Sequence, residues 1–423
     1  MVVERVKTPL LMVLVAVSIL LTTLLCSRLP GTFLPPPAAA GAPAALPPGA
    51  LAPDRIILHA GGSSYLLYPG TPLYADVWRT AGPILAAATR NGMGNTPRVS
   101  GSTVATRERS GYGYSFEWLS PLPLGAWSAD YRGGGKRVSD RIDLVFSPHA
   151  TVYVLGSAES FRMRELPPGG RQKLLDLARG LPAVGLPPAR LLTRGYGVEL
   201  ASAGAFAPEH PAPLVPVPVR AGKQASLDLL PRFFSDPATV REIQERQGGG
   251  VVYTDGFKAL RVLPSGAVEY SAPDQGRPAG GVLAAAEGFL SRHDLWPPAA
   301  ALAGLYRSGP DGGEVTFRYR FAGLPVIGGE AARRVQVRGG HAVRFTFFLG
   351  QPGGAVGAAR PTLPAHRVLQ ILAADNPGGV LEGLYQGYWA QGGELHPAWI
   401  AQMAGEQLVV DAFDGKLLGR GEG

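Results

Sequence analysis

The chain has 423 residues, 46% of them hydrophobic, so it can bury a large core, and its length is typical of roughly two to three domains. Its net charge of +8 comes without a dense run of Lys or Arg, which argues against nucleic-acid binding. The single cysteine, Cys26, excludes an internal disulfide, and no Cys/His cluster is spaced to hold zinc. We therefore expect no metal, no cofactor and no nucleic-acid partner.

The N-terminal segment 9–26, "PLLMVLVAVSILLTTLLC", is uncharged and almost entirely apolar. A helix of about 17–20 such residues covers a hydrocarbon core of about 30 Å. Arg5 and Lys7 precede the span and only Arg28 follows it closely, so the positive-inside rule places the N-terminus in the cytoplasm and the bulk outside the membrane. The span exceeds the apolar core of a signal peptide, and no Ala-x-Ala-like site follows promptly. We predict that residues 1–29 are a cytoplasmic tip and a retained membrane anchor.

One face of this predicted helix carries Leu11, Val15, Ser18, Thr22 and Leu25, which recur at spacings of three and four. Ser18 and Thr22 form a small-xxx-small pair, the pattern that lets a second helix approach closely within a bilayer. Val15, Ser18 and Thr22 are therefore candidate partner-binding residues. Alternatively, the two hydroxyls only bond to carbonyls of their own helix.

Residues 30–53 are rich in Pro and Ala and show no amphipathic period, which predicts an extended, semi-rigid linker. Residues 54–206 contain the strand-like segments "RIILHAGGSSYLLY", "RIDLVFS" and "ATVYVLG". They also contain "RQKLLDLARGL", a short amphipathic helix. We predict an N-terminal α+β domain, and these patterns fix no topology for it.

A middle domain, 207–350, begins at the proline-punctuated segment "APEHPAPLVPVPVR". In the following "SDPATVREIQERQGG", Asp236 can cap a helix, Pro237 suits its first turn and Gly248 can end it. The sequence therefore predicts a helix directly before residue 251.

The stretch 251–270, "VVYTDGFKALRVLPSGAVEY", holds two acidic residues, Asp255 and Glu269, which raises the question of a catalytic carboxylate pair. Apolar residues alternate along three short segments, separated by the turn sequences "TDGF" and "PSG". Asp255 precedes Gly256 and suits an Asx-type turn, while Glu269 falls on the face opposite the apolar residues. We predict a small antiparallel sheet in which both carboxylates are structural.

Two later segments share one plan, a helix followed by an antiparallel meander. The first is "GGVLAAAEGFLSRHDLW" with the strands "EVTFRYRFA", "RRVQV" and "AVRFTFFLG". The second lies in a C-terminal domain, 351–423, where "PTLPAHRVLQILAAD" precedes "GLYQGYWA", "LHPAWIAQMA" and "EQLVVDAFDGKLLGR". The fold class predicted for the whole extracytoplasmic region is α+β, with helices packed on small antiparallel sheets.

No catalytic constellation is visible in the sequence. The histidines stand singly, without an HExxH motif or a Gly-x-Ser-x-Gly elbow, so we predict no catalytic residue and no enzyme activity. They are His59, His149, His210, His293, His341, His366 and His396.

An alternative function is an extracytoplasmic module that senses an anionic wall polymer or peptide. Arg318, Arg320, Arg333 and Arg344 lie on the predicted meander strands and could meet anions there. Alternatively, these arginines only solvate the outer face of the sheet.

Several segments resemble the YycH family in the order in which they occur. "YTDGFKALRVLPSGAVEY", which contains Tyr253, Thr254, Asp255 and Gly256, is similar to the "YTDG…GLR…G.LEY" core of that family. "FFSDPATVREI" resembles its "DPS.VR.I" run, and "FAGLPVIGG" and "HPAWIAQMAGEQLVVDAFDGKLL" resemble later segments shared by YycH and its relative YycI. With the N-terminal "ERVKTPLLMVLVAVSILLTTLL", the resemblance covers the anchor and much of 230–423.

The resemblance implies a non-enzymatic regulator. Members of the YycH family are single-pass proteins with their bulk outside the membrane of Gram-positive bacteria. They act with YycI on the sensor histidine kinase WalK, also called YycG, and so on cell-wall metabolism. Their contact with the kinase is thought to run largely through transmembrane helices, which gives Val15, Ser18 and Thr22 a role as the contact face. For Tyr253, Thr254, Asp255 and Gly256 the resemblance implies a structural motif.

Overall fold

The computed structural model describes residues 51–92, 98–99, 111–123, 138–146, 151–155, 160–165, 168–180, 186–193, 195–201, 204–220, 227–246, 249–273, 281–296, 301–309, 311–329, 332–348, 350–353, 357–403 and 406–422. The predicted anchor, with Val15, Ser18 and Thr22, lies outside these residues, as does most of the linker. Within the described ranges, no helix combines the length and the hydropathy needed to cross a bilayer.

The helices are α1 (Pro72–Gly92), α2 (Pro168–Gly180), α3 (Leu230–Phe233), α4 (Val282–Arg292) and α5 (Ala365–Asp375), with a 3-10 turn at Pro237–Thr239. The strands are β1 (Arg55–Ala60), β2 (Ser63–Leu67), β3 (Arg98–Val99), β4 (Tyr112–Pro123), β5 (Val138–Val145), β6 (Thr151–Leu155), β7 (Ser160–Glu165), β8 (Pro188–Leu191), β9 (Glu199–Leu200), β10 (Phe206–Pro208), β11 (Val217–Arg220), β12 (Arg241–Gln244), β13 (Val251–Thr254), β14 (Ala259–Val262), β15 (Ala267–Ser271), β16 (Ala301–Arg307), β17 (Gly313–Arg318), β18 (Arg320–Phe321), β19 (Leu324–Ile327), β20 (Ala332–Arg338), β21 (His341–Phe348), β22 (Gln351–Pro352), β23 (Val380–Gln391), β24 (Glu394–Met403), β25 (Glu406–Asp411) and β26 (Leu417–Glu422). Mostly antiparallel sheets with few helices confirm the predicted α+β class.

Sheet 1 is antiparallel and runs in the order β10-β8-β2-β1-β4-β5-β6-β7-β3. Helices α1 and α2 pack together and against it. Val77 and Trp78 of α1 are buried with Phe116 and Trp118 of β4, where burial of each large side chain stabilises the fold by about 1.5–3 kcal/mol. The predicted strand with Ile142 forms as β5.

Sheet 2 is assembled from distant parts of the chain. Its path is β18-β19-β23-β24-β11-β22; β25 and β26 extend from β24, and β9 pairs in parallel with β23. Helix α5 covers it through Val368 and Leu372, which are buried with Trp399. The sheet thus combines strands from all three stretches predicted as separate domains, and the domain limits at 206 and 350 stay a prediction.

Sheet 3 is antiparallel, in the order β12-β13-β14-β15-β21-β20-β17-β16. Helix α4 contacts β17, β20 and β21 on one face, which we call the inner face. Phe289 of α4 packs there against Phe345 and Tyr270, with ring centroids 5.3 and 5.6 Å apart. Alternate residues therefore point to the opposite, outer face.

The prediction of a helix that begins at Asp236 is wrong. Asp236 does cap a turn, accepting a hydrogen bond from the Ala238 N–H at 3.0 Å, but this turn is only the 3-10 segment Pro237–Thr239. The chain then extends as β12, in which Ile243 pairs with Val252 of β13. All four residues of β12 are exposed, so a helix here would have buried no apolar face, whereas the β-branched Ile243 suits a strand.

Both helix-plus-meander segments form. Helix α5 precedes the consecutive strands β23 to β26, and α4 precedes β16, β17, β20 and β21. In the unit that begins with α4, the hairpin β18–β19 leaves sheet 3 and joins sheet 2. Its turn contains Ala322 and Gly323, both with positive φ, and there is no room for a Cβ at residue 323, where it would lie 2.3 Å from the Pro69 carbonyl oxygen.

Candidate functional site

The motif Tyr253–Gly256 forms the turn between β13 and β14. Tyr253 is buried on the inner face of sheet 3. The Thr254 hydroxyl donates to the Lys258 carbonyl at 2.7 Å and accepts from the Gly256 N–H at 3.0 Å. Asp255 Oδ1 accepts two backbone N–H bonds, at 2.9 and 2.8 Å, from the two residues after Gly256. These donors lower the pKa of the Asp255 carboxyl, and its contacts are those of an Asx turn.

Glu269 does not join Asp255. It lies in β15 on the outer face, directly across from Arg261 of β14, while its neighbours Val268 and Tyr270 are buried. The Glu269 carboxylate approaches Arg261 at 3.5 Å and Arg344 at 3.4 Å. The two acidic residues of this stretch therefore form a turn and an ion-pair cluster.

The outer face of sheet 3 contains two adjoining open depressions of about 450 and 310 Å³. We call them together the outer trough. Its apolar lining residues are Val252, Ala259, Ala272 and Val343, and Tyr270 borders it with its ring buried on the inner face. Its polar and charged side chains are Arg261, Glu269, Ser271, Glu314, Arg334, Gln336, Arg338, Arg344 and Thr346.

Positive charge exceeds negative charge in the outer trough. The Arg261 guanidinium donates two hydrogen bonds, of 2.8 and 3.0 Å, to the carboxylate of Glu245, which follows the edge strand β12. Arg261 and Arg344 both lie next to the Glu269 carboxylate. Within the described part of the chain, no ion pair or hydrogen bond joins the side chains of Arg334 and Arg338 to another residue. Glu314 is the one further acidic residue of the trough, so the two arginines exceed it by one positive charge.

Two of the four arginines proposed for anion sensing are not on an exposed face, which corrects that prediction. Arg318 and Arg320 are 6% and 7% exposed. Arg320 bonds Asp54 Oδ1 through Nε at 3.3 Å and Nη2 at 3.1 Å. Arg318 lies 3.6 Å from Asp54 Oδ2 and donates to the Ser120 hydroxyl at 2.6 Å. Because β17 ends at Arg318, the simple alternation of faces does not continue to Arg320.

The other two arginines lie apart from each other. Arg333 donates to the Leu295 carbonyl and sits over the Phe347 ring at 5.6 Å, and burial lowers the pKa of its guanidinium to about 10. Arg344 is exposed in the outer trough. The four arginines therefore do not form one anion site.

The ion pairs of Asp54 with Arg318 and Arg320 belong to a larger buried network. Its second part surrounds Arg55, a residue that the sequence analysis did not single out. Its Nε lies 2.6 Å from Glu117 Oε2, and its other nitrogens donate to the Leu384 and Phe206 carbonyls at 2.8 and 3.0 Å. The guanidinium also lies 3.9 Å from the centre of the Tyr385 ring. Through these contacts Arg55 joins sheet 1 to β23 of sheet 2.

The network continues along β5. Arg141 pairs with Asp143 at 2.7 Å and with Glu117 at 3.8 Å. His59 bonds the Ser64 and Ser115 hydroxyls, both at 2.9 Å, and burial lowers its pKa to about 4, so the ring is neutral. The charged groups of this network pair with one another and so hold the sheets together. In the described ranges, no three His, Cys, Asp or Glu side chains are grouped to hold a metal ion.

Asp140 lies where β5 meets sheet 2. Its Oδ2 accepts a hydrogen bond from Gln402 Nε2 of β24 at 3.2 Å. Burial, and secondarily the charge of Glu382 in β23, raise the pKa of Asp140 to about 7. The protonation of this carboxyl therefore changes near neutral pH, at a contact between sheet 1 and sheet 2.

Comparison with solved structures decides the fold. The crystal structure of YycH from Bacillus subtilis matches with a TM-score of 0.54 and 15% sequence identity, over 88% of this chain and 95% of that chain. The chain has the YycH fold. Its segments that resemble YycH in sequence lie in sheets 2 and 3, as β13–β15, β18–β19 and β24–β26.

Two further solved structures align over shorter parts of the chain. An uncharacterized protein from Eubacterium rectale gives a TM-score of 0.35 at 8% identity, over 53% of this chain and 91% of that chain. The C-terminal domain of Bacillus megaterium YpeB gives 0.27 at 11% identity, over 47% and 95%. Both scores are too low to indicate a shared fold. No family model matches the sequence, and no curated protein matches it.

Proposed function

We propose that the protein is a YycH-like, membrane-anchored extracytoplasmic regulator of a sensor histidine kinase of the WalK (YycG) type. The observation that carries this proposal is the YycH fold, which extends over 95% of the Bacillus subtilis chain. Two features of the sequence support it: the motif segments occur in the family's order, and an apolar span of helical length precedes them at 9–26.

We propose that regulation is by contact and without catalysis. The ionisable groups brought together in the core, such as Glu117 and Arg55, neutralise one another at hydrogen-bond distance. A general base or nucleophile needs access to a substrate. The charges exposed in the outer trough are arginines with two glutamates, which suit binding more than bond cleavage.

The contact with the kinase is proposed to include the face of the anchor formed by Val15, Ser18 and Thr22. Small side chains allow helix backbones to approach closely, and hydroxyls can hydrogen-bond across the interface. A YycI-like protein is the second proposed partner, and the output is proposed to be control of cell-wall metabolism.

Co-purification tests this proposal. The full-length protein, tagged and extracted in mild detergent, should recover a sensor histidine kinase and a YycI-like protein from its own cells. The double variant Ser18→Leu/Thr22→Leu should recover several-fold less kinase, because bulky residues separate the helices. Failure of the wild-type protein to recover any kinase would refute the proposed function.

A matched control shows whether the effect belongs to the Ser18/Thr22 face or to any enlargement of side chains in the membrane helix. At 100° per residue, Ala16 and Thr23 lie about 140–160° around the helix from Ser18. Ala16→Leu/Thr23→Leu enlarges two comparable residues on the opposite face and should leave recovery unchanged. Equal recovery with both double variants would exclude the Ser18/Thr22 face as the contact, while leaving the kinase partnership in place.

A further inference from the structure

We infer that the outer trough binds an acidic segment of extended polypeptide that carries apolar side chains next to its carboxylates. This inference does not rest on the proposed kinase partnership, because the trough belongs to sheet 3 and the predicted kinase contact to the anchor. It rests on the shape, the charge and the apolar part of the outer face.

The outer face of sheet 3 presents its side chains in continuous rows across the strands. One row runs through Arg261, Glu269, Thr346 and Arg334, which the strand registers place directly opposite one another in turn. A second row places Arg344 opposite Gln336 and Gln336 opposite Glu314. Side chains in such rows lie about 5 Å apart, a spacing that suits a ligand with repeated groups.

Glu269 shows that the trough arginines can hold a carboxylate. It lies between Arg261 and Arg344, but at 3.5 and 3.4 Å, longer than the roughly 2.7–2.9 Å of a strong charge-assisted bond. The Glu269 side chain is 28% exposed and that of Arg344 is 55% exposed, so water screens the pair. A carboxylate from outside can therefore compete with Glu269 for Arg344 at low cost.

Arg334 and Arg338 give the trough its net attraction for an anion. Both are exposed, and they flank Gln336 on the same strand, β20, at positions that share the outer face. Guanidinium groups bind carboxylates in a bidentate manner. A ligand with two carboxylates about two strand repeats apart, roughly 13 Å, can thus reach both.

The apolar side of the trough selects the class of ligand. Val252, Ala259, Ala272 and Val343 line it beside the arginines. A polyphosphate chain has no apolar group to place against these side chains. An extended peptide in which Glu and Leu take turns at every second position presents both kinds on one face. We therefore assign the trough to an acidic peptide.

Peptide binding to the full-length protein in detergent tests the inference. The probe is a fluorescein-labelled eight-residue peptide, Glu-Ser-Leu-Ser repeated twice, and its partner replaces each Glu by Gln. By fluorescence anisotropy at about 0.15 M salt, the acidic probe should bind at least about tenfold more tightly than the neutral one. Arg334→Gln/Arg338→Gln should weaken the acidic probe about tenfold. The control Arg367→Gln/Arg420→Gln removes the same charge from exposed sites outside the trough and should change affinity less than about twofold.

Glu269→Gln gives the decisive variant. It removes the internal competitor and frees Arg344, so the acidic probe should bind about threefold or more tightly, whereas a purely structural Glu269 predicts no gain. Three results would overturn the inference: equal weakening by the control pair, no gain with Glu269→Gln, or equally tight binding of polyphosphate matched in charge. Recovery of the kinase is unaffected by any of these results, so a failure here is distinguishable from failure of the proposed function.

Discussion

Replacing Asp54 by Ala removes the anion at the junction of the three sheets. Asp54 is 1% exposed and accepts from Arg320 at 3.1 and 3.3 Å and from the Leu119 N–H at 2.8 Å. Arg318 lies 3.6 Å away, and like Arg320 it is buried. In the variant, two neighbouring guanidinium groups lose their carboxylate and a backbone donor loses its acceptor.

The expected cost follows from these contacts. Removing one partner of a buried ion pair costs about 3–5 kcal/mol, because the other charge stays buried without compensation. The unpaired Leu119 N–H alone would cost about 1–3 kcal/mol, but the contributions overlap and do not add. We expect the free energy of unfolding to fall by about 3–5 kcal/mol, which for a chain of this length corresponds to a fall in Tm of about 4–6 °C.

Thermal unfolding followed by circular dichroism measures this effect. Asp76→Ala is the matched control, because Asp76 pairs with Arg79 at 3.0 Å on the exposed surface of α1 and should cost less than about 0.5 kcal/mol. Asp54→Ala/Arg320→Met should be more stable than Asp54→Ala alone, since it also removes a stranded cation. A fall in Tm no larger than that of the control would refute the role of Asp54.

Two further predictions concern sheet 2 and its neighbours. Because the pKa of Asp140 rises from its ordinary value of 3.8 to about 7, the folded state holds a proton that the unfolded state has lost between these values. Stability should therefore fall as pH rises through this interval, by about 1 kcal/mol after allowance for solvent screening. The variant Asp140→Asn cannot titrate there, so its Tm should depend less on pH between pH 4 and 7. A pH profile of Tm equal to that of wild type would contradict the raised pKa of Asp140. Gly387→Ala in β23 would place a Cβ 2.6 Å from the Pro325 carbonyl oxygen and should lower stability by about 2 kcal/mol or more in the same assay. A Tm within about 1 °C of wild type would show that the β19–β23 pairing tolerates a side chain there.

Local turn chemistry was readable from the sequence. The Asp255-Gly256 turn, the alternation up to Tyr270 and the structural position of Glu269 all depend on residues within one hairpin. The same local reading failed at Asp236, where a real capping residue begins a single 3-10 turn. There the pairing of Ile243 in β12 with Val252 in β13 decided the conformation. A capping residue indicates where a helical turn can begin, but it does not show that the next residues will pair with a neighbouring strand.

The sequence also failed to identify the buried charges, for a physical reason. Alternation of apolar and polar residues shows which side chains share a face, but it does not show that the polar face meets water. Arg141 and Asp143 alternate with Ile142 in β5, yet all three are buried. The second face is covered by the segment at Gly204 and Phe206, which contacts Arg141, and by β24 of sheet 2. Pairings such as Arg55 with Leu384 join residues more than three hundred positions apart, and no local pattern encodes them.

The buried network also bears on how an anchor could act on this fold. The segment from Leu51 to Arg55, directly after the predicted linker, is bonded at each residue. The Leu51 carbonyl accepts from the Trp118 indole at 3.0 Å, the next two carbonyls accept from Arg320, and Asp54 and Arg55 make the contacts described above. These bonds lead into all three sheets. Moving Leu51 breaks its hydrogen bond to Trp118, and moving Asp54 or Arg55 breaks buried ion pairs at a cost of several kcal/mol. A membrane anchor joined to this segment, as proposed above, would therefore pull on residues that are bonded to all three sheets.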